Sequence, residues 1–464
     1  MTRVLAQYMS LETAALGLVE LALSFLIIQV VLAVSGGPEL LQPAAATASA
    51  DLTSLAAMLA ITTGAVAATI GLYRPDICLE PRRMVANATV AGVIAFPAIL
   101  LVSGGFHVSL TAHALLWLVG LLVACQAGIL LTHLAFSAVV QRSRMVRRVL
   151  ILGSGRRAAR VAEMLRNRRG RLFEPVAPGS TAGSLAAADA PASAETLASA
   201  ALREGRIWGV IIAEDASAGM PAATLLDSKL RGTRVLSDTA FCEHYLGRID
   251  LDTIDAAWLL CADGFVQGRL TNAIKRGLDL VVSVALLILT LPVMVITALL
   301  IRLESPGSVL YCQQRVGLHG KAFTLFKFRS MTVDAERGGK PTWAQQQDPR
   351  VTRVGSFIRP MRIDELPQLL NVLRGEMSMI GPRPERPHFV EQLARIIPFY
   401  HERAYVKPGI TGWAQVNYPY GASVEDAREK LAYDLYYVKN RGVLFDLLIL
   451  VSTVRVILFR EGAR

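Results

Sequence analysis

The sequence predicts a membrane protein in three parts: an α-helical bundle, an α/β domain, and a second α/β domain that carries a membrane-embedded helix. Two observations support this fold class. Of the 464 residues, 53% are hydrophobic and only 18% are charged, whereas soluble domains average about 25% charged residues. The apolar residues are also concentrated in long uncharged stretches of the kind that cross a bilayer. These features exclude a disordered chain and argue against a purely cytosolic protein.

The chain is strongly basic, with a formal net charge of +11. In so apolar a chain, this excess favours anionic lipid headgroups or phosphate-bearing substrates as partners. Aromatic residues make up only 7% of the chain and form no repeat with arginine, so no nucleic-acid partner is predicted. The five cysteines are scattered and form no CxxC motif, so they predict neither a disulfide framework nor a zinc site.

Four apolar segments predict a transmembrane bundle within residues 1–145. They cover residues 13–34, 52–72, 84–102 and 107–140. Arginines follow the second and fourth segments, whereas the other two loops contain neither Lys nor Arg, so the positive-inside rule places both ends of the bundle in the cytoplasm. Glu20 lies within the first segment, and we expect it to extend to the cytoplasmic headgroups rather than to act as an intramembrane acid.

Residues 146–265 have the composition of a soluble α/β domain. A short apolar strand is followed by Gly153-Ser-Gly155-Arg-Arg-Ala158 and a helical run, which is the context of a dinucleotide-binding fingerprint. With a second strand at 208–213, this pattern predicts a Rossmann-like domain. A stretch rich in Ala, Ser, Pro and Gly follows Glu174, which weakens the signature. Gly153 and Gly155 are therefore weak nucleotide-binding candidates, and a degenerate domain that serves assembly or regulation is the favoured alternative.

The third part, residues 266–464, begins with an unusual apolar helix. Residues 280–301 carry no charge, although two cations precede them and Arg302 follows. Cationic flanks on both sides favour a helix that returns to the same face of the membrane. Pro292 in its middle removes a helical hydrogen bond. We therefore predict a re-entrant helix that breaks at Pro292, rather than an ordinary kinked span.

Two motifs in this part bring together charged residues suited to phosphate chemistry. Lys327 and Arg329 share one face of a predicted strand, where two cations suit a diphosphate. Asp364 and Glu365 precede a helix that tolerates Pro367 only in its first turn, so both carboxylates are placed at a helix N-terminus. One carboxylate there can attack phosphorus while its neighbour holds Mg²⁺. The structural alternatives are a half-exposed strand and an acidic helix cap.

Two further motifs suit a nucleotide sugar. Gly381-Pro-Arg383-Pro384-Glu385 is a stiff segment that would present Arg383 to a phosphate or a base. Trp413 and Gln415 supply an aromatic face and an amide for a nucleobase or a sugar. For the first of these motifs, a rigid surface turn is the alternative.

Together, the residues from about 270 to the C-terminus resemble the bacterial sugar transferases, the monotopic phosphoglycosyl transferases. The resemblance is carried, in order, by Lys275-Arg276 with Asp279, the apolar helix with Pro292, Gln314-Arg315 with Gly317, Lys327-Phe-Arg329, Asp364-Glu365-Leu-Pro367-Gln368, Gly381-Pro-Arg383-Pro-Glu385 and Lys407-Pro-Gly-Ile-Thr-Gly. The N-terminal helices and the Rossmann-like insert resemble the long branch that primes exopolysaccharide synthesis. The C-terminal ending is similar to the sugar transferases associated with the exosortase system.

This resemblance implies an α/β monotopic catalytic domain with a re-entrant membrane helix. The implied reaction moves hexose 1-phosphate from a UDP-sugar to undecaprenyl phosphate and releases UMP, by a ping-pong mechanism through an aspartyl-phosphosugar. Asp364 matches the nucleophile, Glu365 its partner in binding Mg²⁺, and Arg359 the arginine of the same motif. The implied substrate-binding residues are Lys327, Arg329, Arg315, Arg383, Pro384 and Gln415. One departure from the family is Leu291, because a serine commonly precedes the helix-breaking proline.

The resemblance also implies a multi-pass protein of the bacterial inner membrane whose catalytic domain faces the cytoplasm. Membrane lipid, a second copy of the chain and polysaccharide-assembly proteins are the further candidate partners. An alternative of a different class is a catalytically inactive membrane nucleotide sensor or scaffold of a polysaccharide-assembly complex. A membrane-bound NAD-dependent oxidoreductase is a third, for which the sequence offers no catalytic Tyr/Lys or His near the predicted sheet. The sequence does not identify the hexose.

Overall fold

The computed structural model divides into two compact units, Met1–Leu246 and Gly247–Arg464. The structure describes residues 11–34, 48–73, 75–78, 81–105, 111–139, 146–153, 155–167, 173–176, 207–213, 222–332, 350–418, 421 and 423–458. The stretch rich in Ala, Ser, Pro and Gly after Glu174 lies outside these residues.

Long apolar helices form the first part of the first unit. The helices are Leu11–Val34 (α1), Ala48–Ile70 (α2), Pro75–Cys78 (α3), Pro81–Gly105 (α4) and Ala112–Val139 (α5). Of these, α1, α4 and α5 are long and apolar enough to cross a membrane, and α2 contributes a shorter apolar stretch. Buried residues from the four long helices, such as Ile28, Leu59, Ala95 and Leu118, share one cluster. Where the structure describes them, the four predicted apolar segments are thus mostly helical, and their helices pack together.

A buried polar cluster lies among these apolar helices. The Glu20 carboxylate is 2.6 Å from His133 Nδ1 and accepts a hydrogen bond of 2.6 Å from Thr132 Oγ1. Glu20 is 1% exposed and His133 is 0% exposed. The expectation that Glu20 extends to the headgroups is therefore wrong. Its partners on α5 hold one carboxylate oxygen inside the bundle, whereas Oε2 is buried without a hydrogen-bond partner among the described residues.

The second part of the first unit is an α/β fold. Its elements are Arg147–Leu152 (β1), Arg156–Asn167 (α6), Phe173–Val176 (β2), Gly209–Ile212 (β3), Ala222–Leu230 (α7), Arg234–Ser237 (β4) and Asp238–Phe241 (α8). The described strands form a parallel sheet in the order β2-β1-β3-β4. Gly153 begins the turn from β1 to α6 with a φ of +141°, and a Cβ there would lie 2.9 Å from the Cβ of Ala213. Glycine is therefore required at this position of the predicted fingerprint.

The second unit begins earlier than the boundary expected at residue 266. The Gly247 carbonyl accepts a hydrogen bond of 2.7 Å from Trp413 Nε1, and the backbone N–H of Ile249 donates to the Ala432 carbonyl at 3.0 Å. Arg248 binds both carboxylate oxygens of Glu429, at 2.5 and 2.8 Å. Residues 247–265 thus pack with the C-terminal unit, through contacts that join segments far apart in sequence.

One long helix and a series of shorter elements make up this unit. They are Ala256–Cys261 (α9), Arg269–Glu304 (α10), Leu310–Val316 (β5), Ala322–Phe328 (β6), Arg353–Ile358 (α11), Gln368–Arg374 (α12), Ser378–Ile380 (β7), Pro387–Ile396 (α13), Gly409–Thr411 (β8), Trp413–Asn417 (α14), Val424–Asn440 (α15) and Val443–Leu458 (α16). Strands β5 and β6 form an antiparallel hairpin, whereas β7 and β8 pair in parallel. The predicted strand at Lys327 corresponds to β6.

Helix α10 is continuous over its 36 residues and passes through Pro292. The predicted break is therefore not a helix end in the structure. Proline lacks the N–H that would bond the carbonyl four residues earlier, and Thr290 Oγ1 donates to the Leu286 carbonyl at 2.7 Å. Both a proline and such a threonine contact favour bending of a helix.

Both ends of α10 are fixed to the same unit. Near its start, Asp279 accepts hydrogen bonds of 3.0 Å from Ser378 Oγ and from the Met379 N–H. At its end, Arg329 donates to the carbonyls of Ile301 and Ser305. The Glu304 carboxylate accepts the backbone N–H groups of Arg353 and Val354 at the start of α11.

A chain truncated to begin at Gly247 should be more stable than one that begins at Leu270. The shorter chain loses the Arg248–Glu429 pair and leaves Trp413 Nε1 without its acceptor. We expect its midpoint of thermal unfolding in detergent to be lower by on the order of 5 °C. Equal midpoints would show that residues 247–265 contribute nothing to this unit.

Candidate active site

The predicted carboxylate pair lies in a sharp turn between α11 and α12. Arg362 has a left-handed backbone with a φ of 55°, a conformation that costs a non-glycine residue on the order of 1–3 kcal/mol. This reversal is followed by a one-turn 3₁₀ helix, Ile363–Glu365, and then by α12, with Pro367 at its N-cap position. Asp364 and Glu365 are 8% and 6% exposed. The prediction that both precede the helix of Pro367 is confirmed.

Three cations surround the Glu365 carboxylate. Lys327 Nζ on β6 lies 2.9 Å from Oε1, Arg383 Nη2 lies 2.7 Å from Oε1, and Arg362 Nη1 lies 3.4 Å from Oε2. Burial alone would raise the pKa of Glu365, but the cations outweigh it and hold this pKa well below its usual range. Burial also lowers the pKa of Lys327, against the attraction of Glu365. Glu365 is thus an ionised anchor for the surrounding cations.

Asp364 has a different environment from that of its neighbour. Within the described part of the chain, no hydrogen bond to its carboxylate is found. Burial raises its pKa to about 6, with the nearby Lys327 opposing that rise and Glu365 adding to it. A carboxylate that is desolvated and not tied to a donor retains its lone pairs for attack on an electrophile.

Arg359 is the third residue predicted to take part in catalysis. Its charge lowers the pKa of Asp364, as do those of Lys327 and Arg383. Its Nη1 is buried and has no hydrogen-bond partner among the described residues. An unused guanidinium donor near a free carboxylate suits an incoming anion such as phosphate.

Two predicted substrate-binding arginines are occupied elsewhere. Arg329 does not reach the carboxylates, because its guanidinium binds carbonyls at the end of α10, including Pro306 at 3.0 Å. Arg315 donates to the Pro384 carbonyl at 3.0 Å and to Gln313 Oε1 at 2.6 Å. Arg315 and Pro384 therefore hold the stiff segment around Arg383 in place rather than lining the carboxylate pair.

Arg383, which contacts Glu365, also lines two hollows in the described part of the chain. The larger has a volume of about 430 Å³. The smaller, of about 100 Å³, is also lined by Arg362 and Gln415. Gln415 Oε1 is buried without a hydrogen-bond partner in the described chain, so it is free to accept one from a ligand. Neither hollow is lined by Asp364 or Glu365.

Trp413 does not provide the predicted aromatic face. The residue is 4% exposed, and its ring packs edge-on against Phe445 with centroids 4.9 Å apart. Its indole N–H donates a hydrogen bond to the Gly247 carbonyl. The prediction failed because a lone tryptophan in a polar motif does not reveal whether distant apolar residues cover it.

Comparison with known proteins identifies the family of this chain. The sequence model of the bacterial sugar transferases matches residues 270–460. A UDP-glucose:undecaprenyl-phosphate glucose-1-phosphate transferase of Caulobacter vibrioides is 43% identical over 191 residues, which cover 41% of this chain and 71% of that protein. The chain belongs to the bacterial sugar transferase family. The resemblance inferred from the motifs is thereby confirmed.

Two longer relatives extend the comparison of this sugar transferase. A UDP-N-acetylgalactosamine-undecaprenyl-phosphate N-acetylgalactosaminephosphotransferase of Aeromonas hydrophila is 52% identical over 222 residues, 48% of this chain and 52% of that protein. An undecaprenyl-phosphate glucose phosphotransferase of Komagataeibacter xylinus is 35% identical over 337 residues, 69% of this chain and 60% of that protein. The matches thus span about half to three fifths of these two relatives.

The residues of this sugar transferase fit Mg²⁺ only together with substrate. In the described part of the chain, no group of three or more His, Cys, Asp or Glu side chains is placed to hold a metal ion. Cations already occupy Glu365, which leaves Asp364 as the available carboxylate. Because Mg²⁺ is often held by one or two carboxylates plus substrate phosphates, the pair fits an ion that phosphate also ligates.

Sequence analysis missed Arg362 and Arg403 as parts of this site. Arg362 stands two residues before Asp364, and its position in a cationic motif was a usable signal. Arg403 donates to the Arg383 carbonyl at 2.9 Å and pairs with the buried Asp434 at 2.8 Å. That contact joins three distant segments and has no local sequence signal.

If Asp364 is the nucleophile that the resemblance implies, the rate of sugar phosphate transfer should fall about tenfold per pH unit below about pH 6, because only the ionised carboxylate can attack. The direction follows from the pKa, which is raised above 3.8, so that Asp364 takes up its proton at mild acidity. A pH–rate profile under single-turnover conditions measures this acidic limb, the fall in rate below about pH 6. Burial also raises the pKa of Asp434 to about 6, so an Asp434→Asn variant is the control. Loss of the limb in that variant would assign it to Asp434 instead.

Proposed function

We propose that this chain transfers hexose 1-phosphate from a UDP-sugar to undecaprenyl phosphate, the priming step of exopolysaccharide biosynthesis. The observation that carries the proposal is a free, desolvated Asp364 beside Glu365, which gathers three cations. The names of the three relatives support the lipid acceptor, and two of them name a UDP-sugar donor. An inactive scaffold would gain nothing from a buried, unpaired carboxylate at this position.

The first step is attack by an Asp364 oxygen on the β-phosphorus of the UDP-sugar. The new O–P bond forms as the bond from this phosphorus to the bridging oxygen breaks, and UMP leaves with the electron pair. Lys327, Arg383 and Arg359 face the charge of the diphosphate. Because Glu365 holds Lys327 and Arg383 in advance, little reorganisation is needed when the substrate binds.

The second step regenerates Asp364. A phosphate oxygen of undecaprenyl phosphate attacks the phosphorus of the aspartyl-phosphosugar, and the Asp364 carboxylate leaves with the bonding electrons. The product is undecaprenyl-diphosphate sugar, and the two half-reactions make the kinetics ping-pong. The resemblance assigns Mg²⁺ to Asp364 and Glu365. Because cations already occupy Glu365, the ion would be held by Asp364 and substrate phosphate, where it would neutralise phosphate charge.

We further propose that α10 is re-entrant, so that the catalytic unit stays on the cytoplasmic side of the inner membrane. Ser283 Oγ contacts Met379 Sδ at 3.2 Å, whereas Met294 and Ala298 pack with Phe328 and Ile358. A span would separate the two ends of the apolar stretch by about 30 Å of hydrocarbon, yet both ends contact the same unit. Between them, Ile288 and Leu289 are 69% and 74% exposed, which suits contact with lipid chains.

Asp364→Asn should abolish formation of the covalent intermediate, because an amide cannot replace the attacking carboxylate. The full-length proteins are incubated with a UDP-[¹⁴C]sugar and then denatured. Wild type and the control Asp263→Asn, which changes an exposed residue, should retain the label. Label and UMP release in Asp364→Asn should fall by about a thousandfold or more. Glu365→Gln should lose about ten- to a hundredfold in turnover, because it releases the cations. Full turnover by Asp364→Asn, with deamidation excluded by mass spectrometry, would rule out the covalent route.

The topology is testable with two native residues that flank α10. Cys261 and Cys312 are both exposed, and the other three cysteines can be replaced. Variants that retain only Cys261 or only Cys312 should resist an impermeant maleimide in intact cells, and both should react once the inner membrane is opened. Labelling of Cys312 but not Cys261 in intact cells would establish a span and place Asp364 away from nucleotide sugars.

A further inference from the structure

Arg383 lines the larger hollow, whereas neither Asp364 nor Glu365 does. The hollow is lined by the turn Leu318–Gly320, by the segment Pro382–Pro384 and by the 3₁₀ helix His401–Tyr405. The Nη2 of Arg383 bonds the Glu365 carboxylate at 2.7 Å. Arg383 therefore connects the reacting centre to a cavity whose occupant is so far unassigned.

The geometry of phosphoryl transfer indicates what such a cavity would hold. The attacking and leaving oxygens lie roughly in line on opposite sides of phosphorus, so UMP must leave on the side away from Asp364. With the diphosphate bound by Lys327 and Arg383, the nucleoside extends beyond Arg383. This placement of the nucleoside rests on the proposed transferase reaction, because it takes Asp364 as the nucleophile.

Four aromatic side chains line this hollow, His319, Tyr400, His401 and Tyr405, and Tyr400 among them is only 3% exposed. His319 and Tyr405 both line it, with ring centroids 6.4 Å apart and planes at 70°. Tyr405 is 59% exposed, and His319 has a left-handed backbone with a φ of 53°. The left-handed backbone of His319 costs a non-glycine residue on the order of 1–3 kcal/mol, and such strain clusters where residues serve a ligand.

We propose that the larger hollow is the nucleoside site, in which His319 and Tyr405 form the contact surface for the base. Its volume of about 430 Å³ falls in the ordinary range of small-molecule sites, about 300–1,000 Å³. Bases stack on such rings regardless of their hydrogen-bonding pattern. Arg403 donates a hydrogen bond to the Arg383 carbonyl. This contact fixes the backbone of Arg383, which would contact both the nucleoside and the diphosphate. Trp413 is buried and does not line this hollow, so it is not part of the proposed contact surface for the base.

UMP binding to the full-length protein in detergent tests this assignment, measured by isothermal titration calorimetry. His319→Ala and Tyr405→Ala should each weaken UMP binding by about five-fold or more, as expected for loss of one stacking ring. Tyr405→Phe, which keeps the ring, should stay within about two-fold of wild type. Phe357→Ala is the matched control, because Phe357 is 60% exposed and lines neither hollow. Thermal unfolding of each variant confirms that it is folded.

The outcomes separate this site from the proposed reaction. Asp364→Asn should bind UMP like wild type while losing transfer, which would support both assignments. Unchanged UMP affinity in both alanine variants, with normal transfer by wild type, would overturn the nucleoside site and leave the reaction standing. UMP binding that depends on His319 and Tyr405, in a protein that transfers no UDP-sugar, would support the site and contradict the reaction.

Discussion

The active site depends on the burial of one negative charge, that of Glu365. An isolated carboxylate so far from water would be protonated or would destabilise the fold. Lys327, Arg362 and Arg383 keep it ionised, and they come from a strand, a reversed turn and a proline-stiffened segment. One carboxylate therefore sets the positions of three separate pieces of chain. Under the proposed reaction, the cations that it holds also receive the diphosphate, so folding and substrate recognition would use the same contacts.

The adjacent carboxylate has a complementary role because it is left out of this network. Both acids occupy one 3₁₀ turn, but only Glu365 points among the cations. Asp364 is desolvated and without a donor in the described chain, which raises its pKa while that of Glu365 falls. Two identical functional groups on neighbouring residues thus acquire different chemistry from their surroundings alone. The left-handed backbone of Arg362 makes this division possible, since it turns the pair inward.

Local sequence patterns predicted the elements of this fold better than the partners of its side chains. The alternation in β6, the carboxylates before α12 and the glycine turn after β1 follow from chain geometry within a few residues, and all were predicted. Arg329 was expected to bind phosphate, but its partners are carbonyls at the end of α10. Such pairings are decided by three-dimensional packing between distant segments, which no local periodicity records. For the same reason, the start of the second unit at Gly247 was missed.

The contacts at the end of α10 have a mechanical consequence. Glu304 caps α11, and α11 leads within a few residues to the turn that carries Asp364. Under the proposed topology, this rigid linkage sets the height of the nucleophile above the lipid headgroups. The phosphate of a polyprenyl acceptor is confined to that same layer. Under the same proposal, both reacting groups lie in one layer parallel to the membrane, so that their encounter becomes a search in two dimensions.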